Sequence, residues 1–174
     1  MRDLKTVIRS IPGFPKPGIV FRDITTLLAD SDAFRYALDQ FESYFRERGV
    51  NRIAAIDSRG FVFGGALADR MNIPLSIVRK KGKLPYKTVR EEYALEYGTD
   101  TLEMHIDAVG KGDKVAVIDD LLATGGTLQA TCRMVEKLGG EVAAVGVVIE
   151  LSFLRGRDKL AQYDLKALVD YDSE

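Results

Sequence analysis

Apolar residues recur along the chain with two periods, and the switching between them predicts alternating helices and strands. Between residues 31 and 48, Phe34, Leu38, Phe41 and Phe45 fall at i, i+4, i+7 and i+11, on one helix face. Asp30 or Ser31 can cap the start of this helix, and Gly49 can end it. Residues 52–57 (RIAAID) form a short apolar run that predicts a strand. An SRG turn, a helix over 61–71 and a second strand over 74–79 follow. The same order returns later, with a strand over 114–120, a helix over 127–138 and a strand over 141–151. Leu128, Cys132, Val135 and Leu138 share the apolar face of that later helix, and Gly139-Gly140 stops it. Strands that are apolar on both faces and alternate with helices predict a mostly parallel sheet buried between helices.

Two segments break this pattern. Residues 3–11 predict a short amphipathic helix with Leu4, Val7, Ile8 and Ile11 on one side, and PGFPKPG (12–18) then interrupts regular structure. Residues 80–104 are polar, carry Gly82 and Pro85, and partly alternate toward their end. They predict a mobile loop leading into an antiparallel ribbon, an arrangement suited to a lid. The 174 residues read as one α/β domain, with a small hood over about 1–30 and the lid over about 80–104.

Composition mostly excludes. With 46% hydrophobic and 29% charged residues the chain resembles an ordinary globular protein. A formal net charge of −1 gives no general attraction to nucleic acid or an acidic membrane. Cys132 is the only cysteine, which excludes an internal disulfide and suits a reducing compartment. His105 is the only histidine and has no Asp or Ser partner at a recognisable spacing, so neither a triad nor a His metal site is expected. No apolar run approaches the ~20 residues of a membrane span. The N-terminus is too charged for a secretory signal, so a cytoplasmic location is expected.

Candidate chemistry concentrates in VAVIDDLLATGGT (115–127). If the strand ends near Asp119, then Asp119 and Asp120 face the crevice beyond the carboxyl ends of a parallel sheet, where ligands bind. Buried and unpaired in the sheet, each would cost several kcal/mol. Ala123, Thr124, Gly125, Gly126 and Thr127 then enter a helix N-terminus, whose free N–H groups and dipole attract an anion. Glycines there allow close backbone approach, and the two hydroxyls add donors. Carboxylates beside a phosphate nest suit a ligand with both hydroxyls and phosphate, such as a ribose 5-phosphate. In the DSRGF turn (57–61), Ser58 and Arg59 lie on the same sheet edge, and the Arg59 fork suits a pyrophosphate. RKKGKLPYKTVR (79–90) carries six basic residues, including Arg79, Lys80 and Lys83, and would close over a polyphosphate.

VIDDLLATGGT closely resembles the phosphoribosyl pyrophosphate (PRPP) signature of type I phosphoribosyltransferases. FPKPGIVFRDITTLL (14–28), DSRGF, RKKGKLP, EYALEYG (92–98) and ELSFLRGRDKL (150–160) extend the resemblance over nearly the whole chain, to the adenine phosphoribosyltransferase family. That resemblance implies condensation of adenine with PRPP, with Mg²⁺, to give AMP and pyrophosphate. It implies that Val20, Phe21 and Arg22 form the base hood, with Phe21 stacked on the purine and Leu151 as apolar wall. Backbone groups around Arg22 would read the base edge. A C=O accepting from the 6-amino group and an N–H donating to N1 reject a 6-oxo purine. Ser58, Arg59, Arg79, Lys80, Lys83 and Tyr97 would hold pyrophosphate, and Glu96 would handle the N9 proton. Mg²⁺ would arrive mainly on PRPP, with Asp119 and Asp120 as candidate ligands. A homodimer is implied, with no nucleic-acid or membrane partner. Transfer to another base, or a non-catalytic PRPP-binding regulator, are the competing readings.

Overall fold

The computed structural model describes residues 3–94 and 98–174. In chain order the strands are β1 (Arg9–Pro12), β2 (Val20–Asp23), β3 (Arg52–Ile56), β4 (Leu75–Lys80), β5 (Thr88–Ala94), β6 (Thr99–His105), β7 (Lys114–Leu122), β8 (Glu141–Leu151) and β9 (Leu165–Tyr171). The helices are α1 (Thr25–Ala29), α2 (Ser31–Glu47), α3 (Gly60–Met71) and α4 (Gly126–Lys137).

The main sheet has seven strands in the order β5-β6-β4-β3-β7-β8-β9. β4, β3, β7, β8 and β9 run parallel, whereas β6 joins β4 antiparallel and carries β5 antiparallel beside it. This is the mostly parallel sheet flanked by helices expected above, with β1 and β2 forming a separate antiparallel pair. The order reverses between β3 and β7, because β4 lies outside β3 and the later strands extend the other way. Such a reversal splays the two following loops apart and opens a crevice at the carboxyl ends of both strands.

Two apolar layers hold the sheet. Phe41 and Phe45 of α2 and Phe63 and Leu67 of α3 cover one face, together with Ile53, Ile118 and Val148. Leu128, Cys132 and Met134 of α4 cover the other, over Val117, Val145 and Val147. Val145 through Ile149 are buried at every position because both faces of β8 are roofed, which explains its unbroken apolar run. Each such side chain contributes about 1.5–3 kcal/mol by leaving water. Asp30 caps α2, its Oδ1 accepting from the N–H groups of Asp32 (3.1 Å) and Ala33 (3.0 Å).

Three sequence expectations change. Residues 3–11 are not a helix: a single 3-10 turn spans Leu4–Thr6, and Arg9–Pro12 is a strand. Its partner, residues 20–23, lies across the proline-rich turn, and that pairing outweighs the local helical spacing. β7 does not stop near Asp119 but runs to Leu122, held by parallel pairing of Leu121 with Ile149 and Leu122 with Glu150. The segment 80–104 is mostly ribbon, and the ribbon extends the main sheet through the pairs Arg79–Glu103 and Lys80–Leu102. Among the described residues no helix is long and apolar enough to cross a membrane.

Candidate active site

The crevice at the strand reversal is a cleft of about 230 Å³ lined by Asp119 through Leu128, with Arg59 and Tyr93. Its floor is the end of β7, and one wall is the start of α4. Gly125 caps α4 in the left-handed conformation (φ +79°) and offers no side-chain cap to the free N–H groups of the first turn. This differs from α2, where Asp30 takes that role. Unoccupied donors at a helix start, exposed to a cleft, form an anion site. Thr124 is exposed at its mouth and Thr127 is half-buried.

Asp120 is buried, and its Oδ2 pairs with Arg59 Nε at 2.8 Å. The Arg59 guanidinium also sits 5.6 Å from the Phe21 ring, so one side chain links the hood to the floor of the cleft. Asp119 accepts from the Asp120 N–H at 2.8 Å. Burial, and then the adjacent Asp120 carboxylate, hold the Asp119 carboxyl well above the ordinary carboxylate range. The folded chain therefore binds this proton more tightly than the unfolded chain does. Stability from Asp119 is present below its ordinary value and is lost as pH rises through the raised one. Asp119→Asn should therefore raise the melting temperature at pH 7, by roughly 2–4 °C for each kcal/mol relieved. Thermal scans of both proteins at pH 7 and pH 4 check this: the gain should shrink at pH 4, and a loss at pH 7 would contradict it.

On the pyrophosphate side, Ser58 is exposed in the turn after β3. Arg79 Nε bonds Asp57 Oδ2 at 2.9 Å, and its Nη1 donates to the Lys83 carbonyl at 3.3 Å. Lys80 Nζ pairs with Asp100 Oδ2 at 2.8 Å, and Lys83 is exposed. Two of the three expected lid cations are thus already neutralised by carboxylates, which a polyphosphate would have to displace or share. Glu96 and Tyr97 lie outside the described residues.

On the base side, Phe14 packs edge-on to Phe21, with ring centroids 5.3 Å apart. Gly13 N–H donates to the Ile19 carbonyl at 2.8 Å, so strand alternation gives the next bonds to Phe21 and Asp23. The N–H and C=O groups of Val20 and Arg22 are left on the opposite edge, where a base could be read. Val20 N–H already donates there to Glu174 Oε2 at 2.8 Å. The Arg22 side chain bonds Ser10 Oγ at 2.6 Å and lies 3.9 Å over the Tyr171 ring. Leu151 is half-buried at the end of β8.

The sequence reading missed Tyr93. It lines the cleft from β5, packs against Gly126 and donates to Asp100 Oδ2 at 3.2 Å. Burial first, then the Asp100 charge, push its phenol up to about 12, so it stays a donor at neutral pH. Its sequence signals were an inward place in an alternating strand and membership of EYALEYG, neither of which gave it a role.

Residues 32–172 match the phosphoribosyl transferase domain family. The adenine phosphoribosyltransferase of Clostridium acetobutylicum is 51% identical over 98% of this chain and 99% of its own. That of Brachyspira hyodysenteriae is 52% identical over 97% and 99%. The crystal structure of adenine phosphoribosyltransferase from Thermoanaerobacter pseudethanolicus gives a TM-score of 0.92 at 49% identity, over 97% of this chain and 98% of that one. The Saccharomyces cerevisiae enzyme, crystallised with an imino-altritol bisphosphate and adenine, gives 0.90 at 34% identity, over 95% and 96%. Sharing fold and sequence with these enzymes from end to end, the chain belongs to the adenine phosphoribosyltransferase family.

Proposed function

We propose that this cleft transfers the 5-phosphoribosyl group of PRPP to N9 of adenine, with the following division of labour. The amides of Ala123 to Thr127 hold the 5-phosphate, and Asp119 and Asp120 hold the ribose hydroxyls. Ser58, Arg59, Arg79, Lys80, Lys83 and Tyr97 receive the pyrophosphate. The bond from C1′ to the pyrophosphate oxygen breaks, and its electron pair leaves with pyrophosphate. Positive charge grows on the ribose ring, and the neighbouring carboxylates favour it. The N9 lone pair of adenine, seated between Phe21 and Leu151, closes on C1′. Glu96 takes the N9 proton. Among the described residues no group of three or more Asp, Glu, His or Cys could hold a metal. A pair of carboxylates fits Mg²⁺ brought in by PRPP, and Asp119 and Asp120 would be the residues to hold it. The chemistry it would supply there is neutralisation of charge on the pyrophosphate.

The observation that carries this reading is the uncapped, glycine-started α4 facing the Asp119–Asp120 pair across one small cleft. Incubation with PRPP, Mg²⁺ and equimolar adenine, hypoxanthine, guanine, xanthine and orotate should yield AMP above all other nucleotides. A different dominant nucleotide would move the assignment to another base. PRPP binding with no nucleotide formed would support a non-catalytic regulator.

A homodimer is part of the proposal. Val62, Leu75, Ile77 and Ile106 are large apolar side chains left exposed, and Leu75 and Ile77 alternate onto one face of β4. A second copy is the expected cover, and sedimentation equilibrium should read twice the chain mass. A cytoplasmic setting is consistent with the buried, unpaired thiol of Cys132. Activity recovered in a soluble cytoplasmic fraction tests it.

A further inference from the structure

The phosphate nest rests on a second piece of backbone. A Cβ added at Gly156 would lie 2.1 Å from the Ala123 carbonyl oxygen, 2.8 Å from Leu122 Cδ1 and 2.9 Å from Gly125 N. The contact is reciprocal, since a Cβ at Gly125 would lie 2.5 Å from the Gly156 oxygen. With no side chain between them, the two backbones can shift only together. Arg155, just before Gly156, sits at φ +55°, a conformation uncommon outside glycine, so other contacts must hold this turn.

Arg155 pairs locally with Asp158 at 2.9 Å, and a second ion pair ties the turn to the sheet. Arg157 Nε and Nη2 bond the two oxygens of Glu150 at 2.9 and 2.5 Å, and Arg157 Nη1 donates to the Leu165 carbonyl at 3.3 Å. Glu150 is buried near the end of β8, in register with Leu122, the last residue of β7 before the nest. Gln129 Nε2 of α4 donates to the Lys159 carbonyl at 3.0 Å, tying the same loop to the helix that starts in the cleft. Glu150 and Arg157 do not line the cleft.

We infer that Glu150 and Arg157 are positioning residues that set the phosphate nest through Gly156, an inference resting on the reading that the nest holds the PRPP 5-phosphate. A bidentate pair fixes direction as well as distance, which an apolar contact at the same place would not. The backbone it sets is the one that must present its amides to phosphate within a few tenths of an ångström. The clamp acts on phosphate affinity and leaves the base-reading backbone of β2 untouched, and Leu151, next to Glu150 on β8, keeps its own side chain in both variants.

Glu150→Gln keeps the shape and removes the charge. It should raise the KM for PRPP and the Kd for AMP about tenfold, while kcat at saturating PRPP and the KM for adenine stay within about twofold. Arg157→Lys, which keeps the charge and loses the fork, should follow the same pattern less strongly. It also carries the test if Glu150→Gln does not fold. A merely structural role would lower the fraction of active molecules and so kcat, with both KM values in place, and would overturn the inference. An unchanged KM for PRPP in the two variants overturns the clamp and leaves phosphoribosyl transfer standing. A parent protein that makes no AMP overturns the transfer itself, and the clamp with it.

Discussion

Replacing Asp119 and Asp120 together by Asn is expected to lower turnover by a factor on the order of 10²–10³ while weakening AMP binding less than about tenfold. The asymmetry follows from what each carboxylate does. In AMP the ribose is neutral and its hydroxyls donate, and an Asn side-chain carbonyl still accepts from them. In the transition state the ribose ring is cationic, and only a carboxylate supplies opposing charge. Losing Asp120 also frees Arg59 from its 2.8 Å partner, but the Arg59 side chain is 42% exposed, so water can solvate it and no buried orphan charge remains. Single-turnover rates and AMP titrations on the double variant separate the two effects. Equal losses in both would assign the pair to ground-state binding alone. The raised Asp119 carboxyl adds a pH signature: activity should begin to fall, as pH drops, above the range of an ordinary carboxylate.

Gly125→Ala should damage the other half of the site. The residue sits at φ +79°, where an L side chain costs about 1–2 kcal/mol, and its Cβ would collide with the Gly156 oxygen. The backbone must move, and the amides of the nest move with it. Charge-assisted hydrogen bonds contribute about 1.5–3 kcal/mol each, so loss of two raises the KM for PRPP about 10²-fold or more. Adenine binding should be unchanged, because the atoms a Cβ at Gly125 would meet belong to Gly156 and not to Phe21 or Leu151. Isothermal titration with AMP and with adenosine distinguishes the cases. Weaker AMP with unaltered adenosine fits the nest, and equal weakening of both would mean general disruption.

How far the chain could be read before folding differs from segment to segment, for physical reasons. The periodicity of α2 is local, and Phe34 to Phe45 announced it. The run of β8 is local as well, since a strand covered on both faces has no polar positions to hide. Long-range pairing is not local. Arg9–Pro12 carries helical spacing and becomes a strand only because Val20–Asp23 returns beside it. β7 outruns Asp119 because β8 continues to offer it hydrogen bonds. β9 was not anticipated, for most of its residues are only half-buried at the sheet edge and Lys166 and Asp170 are mixed with its aliphatics.

The site divides the same way. The Asp pair and the glycine nest lie together in sequence and were read together. Arg59 was placed beside pyrophosphate, yet its link to Asp120 and Phe21 needed three separated segments to meet. Gly156 and the Glu150–Arg157 pair lie inside ELSFLRGRDKL, which carried family resemblance but nothing that pointed to the nest. Their role comes from contact with a loop some 30 residues earlier.

The central claim is that the corner formed by residues 119–127 grips a ribose 5-phosphate. A crystal structure with AMP tests it most directly. The phosphate should lie on the amides of Thr124 to Thr127, with the ribose hydroxyls on Asp119 and Asp120 and the purine against Phe21. AMP bound elsewhere, for example in the open groove between Leu28, Phe34 and Arg35, with this corner empty, would contradict the account.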